Sequence, residues 1–268
     1  MRRLGWLAVA VGSVLVTGAL MSGALAANTE GVREIAPSGT LRVAIAVGPA
    51  ASAFWATRDP ATGKPQGVTV ELAKAAADKL HVPLQLVEYL SSDDIASAGS
   101  KDAWDISFMP FEARREQFVD HGPAYVAYTS KYLVRAGSDI HSVADVDRSG
   151  IRVGCIEGTS TSRTVARSLK RATVTTFAKP EAAAELIGNG GLDALAMGTE
   201  AVEALSRRLP GTRVLDEVVQ STGVVVVVPK GHAAAGAWAT HFLQDAKTDG
   251  TVRRALDSGG STNAKVAP

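Results

Sequence analysis

Two short stretches carry residue types that could do chemistry on a small molecule. The first is the arginine pair Arg114-Arg115 in Glu112-Ala113-Arg114-Arg115-Glu116, upstream of Val119-Asp120-His121-Gly122-Pro123-Ala124-Tyr125. An arginine fork grips a carboxylate with two parallel charge-assisted hydrogen bonds, a geometry lysine cannot reproduce. The second is Gly158-Thr159-Ser160-Thr161. Placed between a strand and a helix, such a run offers free backbone N–H groups, hydroxyls and the positive end of a helix dipole. Both stretches favour an anion. Read singly, each also has a plain structural role: the arginines as a solvated helix start, the threonine and serine as a helix cap.

Other chemistries find little footing. His81, His121, His141, His232 and His241 show no paired metal-ligand spacing, and neither a Gly-x-Ser-x-Gly elbow nor a phosphate-binding glycine loop is present. No cofactor is implied. The single cysteine, Cys155, excludes an internal disulfide framework and any cysteine-rich metal site, and inside an apolar run it reads as inert core. It is also too far from the start to be a first mature cysteine carrying lipid.

The amino terminus reads as an export leader covering residues 1–26. Arg2 and Arg3 precede a mostly apolar stretch from Leu4, which ends in the small-residue site Ala24-Leu25-Ala26. An uncleaved membrane anchor is the alternative, since the stretch is nearly long enough to span a bilayer. Cleavage would remove two arginines and no acid, taking the formal charge from +1 to −1. Such a balance excludes a protein that grips nucleic acid or acidic lipid over its whole surface. The remaining chain is expected to be soluble and exported.

The elements that would position these residues alternate between strand and helix. Leu41–Val47 is a buried strand, Gly67 opens a helix with the one-sided stripe Val68, Leu72, Ala73, Ala76 and Leu80, and Leu84–Tyr89 is the next strand. Ser91-Ser92-Asp93-Asp94 suits a helix start, and Asp105–Met109 a further strand. The pattern then restarts with strands at Ser130–Arg135 and Ile151–Ile156, a helix after Thr159, and a strand at Thr173–Phe177. Pro180 opens a helix closed by glycines, Leu192–Met197 is a strand, and Thr199 is the expected cap of the helix through Leu205. The run Val224–Val228 is a short buried strand, Ala233–Asp257 is largely helical, and residues 258–268 read as a loose tail. Alternation of this kind argues for parallel sheets covered on both faces. Crossings near residues 126–131 and 221–225 divide the chain into lobe one (40–126 plus 226–257) and lobe two (130–222).

Four pieces in this order resemble the family 3 extracellular solute-binding proteins, the class serving polar amino-acid ABC transporters. They are Gly67-Val68-Thr69-Val70-Glu71-Leu72-Ala73, Arg115 with Val119-Asp120-His121-Gly122-Pro123-Ala124-Tyr125, Gly158-Thr159 after Ile151–Ile156, and Gly191-Leu192-Asp193-Ala194. The resemblance covers roughly residues 40–256. It implies two doubly wound α/β lobes of the periplasmic binding protein type II, with a ligand in the cleft between them. It further implies Arg115 as the carboxylate anchor of lobe one, with Arg114 the adjacent alternative if the register shifts by one, and Gly158, Thr159 and Ser160 as the contacts of lobe two. Trp55 and Tyr125, with Phe54 nearby, are the aromatic candidates for the wall, with core packing the alternative for each, and Asp193 is read as structural.

On this resemblance the chain captures a small carboxylate, an amino acid or related organic acid, in the periplasm and as a monomer. It would deliver its ligand to the membrane permease of an ABC transporter. Two departures bear on the ligand. The place of the family's second-lobe aspartate, which holds a ligand ammonium, is Gly198, and the place of a serine five residues before the arginine is Pro110. A few enzymes share the fold, notably cyclohexadienyl dehydratases, which makes a cleft enzyme the alternative reading, with Glu157 as the obvious acid beside the loop.

Overall fold

The computed structural model of the 268-residue chain describes residues 34–47 and 52–268. The expected leader at residues 1–26 lies outside the described residues. Lobe one begins with β1 (Leu41–Ala46), a strand whose alternate Leu41, Val43 and Ile45 are fully buried. A small hairpin of β2 (Thr57–Arg58) and β3 (Pro65–Gln66) leads to α1 (Val68–Leu80), followed by β4 (Leu84–Tyr89). Helix α1 forms because Val68, Leu72, Ala76 and Leu80 recur every four residues and bury one face. Its entry requires Gly67, which sits at φ +137°, where an added Cβ would stand 2.6 Å from the Trp55 carbonyl oxygen. That close approach fixes the backbone of Trp55 against the helix start.

Next come α2 (Ser92–Gly99), capped by the Ser91 side chain on Asp94 N–H, β5 (Ile106–Pro110) and a 3₁₀ turn at Ala113–Gln117. The chain then crosses between the lobes on β6 (Val119–Arg135). Lobe two holds α3 (Val143–Val146), β7 (Arg152–Ile156), α4 (Ser160–Ser168), β8 (Thr173–Phe177) and α5 (Pro180–Asn189). After these come β9 (Ala194–Gly198), α6 (Thr199–Arg208) and β10 (Thr212–Val214). The chain returns on β11 (Gln220–Pro229) and ends with α7 (Ala233–Thr248) and α8 (Thr251–Ser258).

The strand order is β4-β1-β5-β11-β6-β9-β7-β8, with β10 paired to β6. Within lobe one β1 pairs in parallel with β4 and β5, and within lobe two β7 pairs in parallel with β8 and β9. The antiparallel pair β6–β11 joins the two series, with register running from Val119 opposite Pro229 to Ser130 opposite Gln220. Separate cores flank each series: Leu41, Val68, Leu72, Phe242 and Leu256 on one side, Val134, Val153, Cys155 and Val165 on the other.

The structure departs from the sequence-based expectation at three elements. The segment Ser130–Arg135 is the far half of one 17-residue strand, β6. Thr199 is the first residue of α6 rather than its cap, and its hydroxyl instead meets Thr129 Oγ1 at 2.7 Å. The tail is docked, not loose: Ala267 N–H donates to the Tyr125 carbonyl at 2.7 Å, Val266 bridges Val126, and the Arg253 guanidinium holds the carbonyls of Ser261 and Ala264. A Gly- and Ser-rich composition predicts looseness, but the exposed edge of β6 and a helix arginine supply the partners that the tail's backbone lacks locally.

Candidate functional site

Where the lobes face each other lies a cavity of about 60 Å³, lined from both sides. Lobe one contributes Trp55, Leu90, Ser91, Ser92 and Pro110; lobe two contributes Ile156, Thr159, Ser160, Thr161, Met197 and Gly198; Tyr128 reaches in from the crossing strand. Trp55, Thr159 and Ser160, singled out from sequence, therefore meet at one place. Trp55 is 8% exposed and its ring lies 5.2 Å from that of Tyr128 and 5.0 Å from Phe54. Its carbonyl oxygen accepts from Thr69 Oγ1 at 2.9 Å, so the wall of the cavity is anchored to α1.

The second-lobe loop is shaped by its own hydrogen bonds. Thr159 is the N-cap of α4: its Oγ1 accepts from Ser162 N–H at 3.1 Å and donates to the Ile156 carbonyl at 2.7 Å. The one proton of the Thr159 hydroxyl is thus spent on the loop, and one of its lone pairs stays open. Ser160 Oγ has no hydrogen-bond partner among the described residues. Gly158 does not line the cavity, but it touches the opposite lobe: at φ +71°, an added Cβ would stand 3.0 Å from both Cβ and Oγ of Ser91. Gly158→Ala is accordingly expected to hold the lobes apart while leaving lobe two folded. Small-angle scattering of the variant should show a more extended particle than the wild type, at a cost of about 1–2 kcal/mol in stability from the left-handed backbone.

Tyr125 and Arg115 lie away from the cavity lining. Tyr125 is fully buried in lobe one with its ring edge-on to Phe108 at 5.8 Å, because strand alternation turns it to the core face. Tyr128, three residues on, takes the cavity position. Arg115 is 1% exposed and its three guanidinium nitrogens are held from within. Nη1 donates to the Pro110 carbonyl at 2.7 Å, Nε and Nη2 to Asp93 Oδ1 at 3.2 and 3.0 Å, and Nη2 lies 2.7 Å from Glu112 Oε2. Burial draws the Arg115 guanidinium below its usual range, and the charges of Glu112 and Asp93 oppose that shift.

The same two acids are shared with lobe two. Arg163, on α4, donates from Nε to Glu112 Oε1 at 2.8 Å and from Nη1 to Asp93 Oδ2 at 2.7 Å, and its Nη2 pairs with Glu112 Oε2. Arg114 also pairs with Asp93 but is 47% exposed. Sequence reasoning missed Asp93, Glu112 and Arg163 as a unit. The i,i+3 spacing of Glu112 and Arg115 is a legible local signal, whereas the approach of Arg163 depends on the lobes meeting.

The Gly198 position is filled from outside. A Cβ there would stand 2.9 Å from two ring carbons of Tyr128 and closer still to its hydroxyl. Burial, with the Glu200 charge behind it, pushes the Tyr128 phenol up to about 12, so it remains neutral. Glu200 faces a neighbouring hollow of about 660 Å³ with Phe54, Met197 and Ser261, and its Oε2 is buried with no hydrogen-bond partner among the described residues. Burial raises its carboxyl above the ordinary glutamate range. The folded state then holds this proton more tightly than the unfolded chain, so stability falls as pH rises from the ordinary range through the raised one. Glu200→Gln is expected to raise the unfolding midpoint at neutral pH, with the difference vanishing below about pH 4, where both states are protonated.

Asp193 ties strands together, accepting from Arg152 Nε at 2.9 Å and Arg135 Nη2 at 2.8 Å. Cys155 is fully buried, and burial pushes its thiol up to about 11. Glu157 is exposed and absent from the cavity lining. Among the described residues no group of three or more His, Cys, Asp or Glu could hold a metal, and no helix is long and apolar enough to cross a membrane.

Two α/β lobes, two crossing strands and a cavity lined from both sides define a two-lobed binding protein of the periplasmic type II fold. The chain belongs to the bacterial extracellular solute-binding proteins, family 3, whose family model matches residues 43–258. A glutamine-binding protein of Geobacillus stearothermophilus is 27% identical over 169 residues, which is 61% of this chain and 64% of that relative, under two thirds of its length. Among solved structures, a mutant of ArgBP from T. maritima superposes with a TM-score of 0.74 at 22% identity, covering 86% of this chain and 99% of the other. The ancestral amino acid-binding protein AncCDT-1, a precursor of cyclohexadienyl dehydratase, superposes at 0.73 and 26% identity over 84% and 97%.

Proposed function

We propose that this chain is the exported substrate-binding component of an ABC transporter, which captures a small solute by closing its lobes and presents the closed form to a membrane permease. The observation that carries the proposal is the cavity between the lobes, walled by Trp55 and Leu90 on one side and by Thr159, Ser160 and Met197 on the other. A ligand touching both walls has differential affinity for the closed state and shifts the lobes toward it. Family membership and the glutamine-binding relative support a transport role. Periplasmic location, cleavage after Ala26 and a monomeric state belong to the same proposal.

The carboxylate ligand suggested by the sequence needs a guanidinium free to receive it, and Arg115 is engaged by Asp93, Glu112 and Pro110. The lobe-two contacts therefore carry the proposal further than Arg115 does. A cleft enzyme of the dehydratase kind needs an acid at the cavity, and Glu157 does not line it.

The test is purification without denaturation, mass spectrometry of any co-purified small molecule, and rebinding of that molecule to stripped protein. Saturable binding, recovery of the molecule unchanged and a contraction in small-angle scattering are expected. Steady conversion of the bound molecule would replace this proposal with the enzyme reading.

A further inference from the structure

We propose that the hollow of about 660 Å³ beside the cleft is a second binding site, one that takes a small alkylammonium with its nitrogen at Glu200 and Ser261. The site is separate from the cavity at Trp55: among the described residues lining the two, only Met197 is common to both.

Two side-chain atoms of its wall are buried with no hydrogen-bond partner among the described residues. They are Glu200 Oε2, on α6 of lobe two, and Ser261 Oγ, on the docked tail of lobe one. Ser261 is 6% exposed, its N–H donates to the Leu256 carbonyl at 2.8 Å, and its own carbonyl accepts from Arg253 Nη2 at 3.0 Å. Its backbone is therefore satisfied and its hydroxyl alone is open. A hydroxyl donates as well as accepts, so Glu200 sets the sign of the site. Burying a carboxylate without a counter-charge is costly, and burial accordingly raises the Glu200 carboxyl above the ordinary glutamate range. An alkylammonium supplies the missing charge, with three N–H donors to share between the carboxylate and the hydroxyl.

The rest of the hollow agrees in charge and shape. Glu181 and Glu185 line it from α5, four residues apart on one helical face. Three acids thus meet two arginines, Arg207 and Arg208. Both arginines are exposed, and they lie about 10–12 Å along α6 from Glu200. Between them and Glu200, Ala201, Ala204 and Leu205 form an apolar strip for the alkyl stem. Because Glu200 and Ser261 belong to different lobes, a cation held by both bridges the lobes and favours closure on its own account.

Titration calorimetry at pH 8 with n-butylammonium, 1-butanol and butyrate isolates the charge on one carbon skeleton. Butylammonium is expected to bind saturably and at least tenfold more tightly than either companion. Glu200→Gln is expected to weaken it at least tenfold and Ser261→Ala about threefold, with both variants unfolding cooperatively in urea. Failure of butylammonium to saturate overturns the proposal, and so does equal affinity in the wild type and Glu200→Gln. Loss of butylammonium binding in Ser160→Ala with retention in Glu200→Gln also overturns it, by placing the cation in the cleft. None of these failures touches the binding-protein proposal, which the co-purified molecule and the scattering experiment judge separately.

Discussion

Arg115→Ala is expected to destabilise the fold by about 3–5 kcal/mol, the usual cost of removing one partner from a buried ion pair. Its guanidinium is 1% exposed, and deleting it leaves Asp93 and Glu112 to repel each other around the Pro110 carbonyl. Arg163 would then be the main counter-charge for both acids, and at 22% exposure it is a weaker one. Arg114→Ala, by contrast, is expected to cost under about 1 kcal/mol, because its pair with Asp93 is half in solvent. Urea unfolding of the two variants measures both numbers. If Arg115→Ala leaves stability unchanged and abolishes ligand binding instead, Arg115 is a ligand anchor of the kind the resemblance implies, and the internal pairing described above is not what it is for.

Gly198→Ala is expected to cost about 1–3 kcal/mol, the range for forcing a methyl into a filled space. The new Cβ would stand 2.9 Å from two Tyr128 ring carbons, and that ring cannot retreat, with Trp55 and Phe54 centred 5.2 and 5.6 Å away. A double-mutant cycle with Tyr128→Ala should recover most of the loss, since the smaller residue removes the obstacle. Additive costs in that cycle would show that Gly198 serves the β6–β9 pairing, where it faces Ser130, and not the Tyr128 contact.

The secondary structure and the two-lobed architecture follow from local pattern in this chain. Period-four burial in Val68–Leu80, the apolar strands Leu41–Ala46 and Arg152–Ile156, and the proline and glycine bounds of Pro180–Asn189 are each decided within a few residues. The cap on α4 is equally local, because Thr159 bonds Ser162 three residues on. Thr159 and Ser160 could therefore be nominated for the cleft from their place at a helix start, whereas Trp55 is reached only through the family resemblance.

What Arg115 binds could not be read this way. Its partner Asp93 lies 22 residues before it, and both Asp93 and Glu112 are shared with Arg163, 70 and 51 residues away from them on the other lobe. Charges are non-directional, so the order of residues establishes only that an arginine stands four residues before the crossing strand. The tertiary structure decided whether that arginine is offered to a ligand or neutralised from within. The choice of Tyr128 over Tyr125 for the cavity wall is likewise set by which face of β6 turns to lobe one's core, and at Gly198 an empty position in the sequence is an occupied one in space. Packing, unlike propensity, depends on what arrives from elsewhere in the chain.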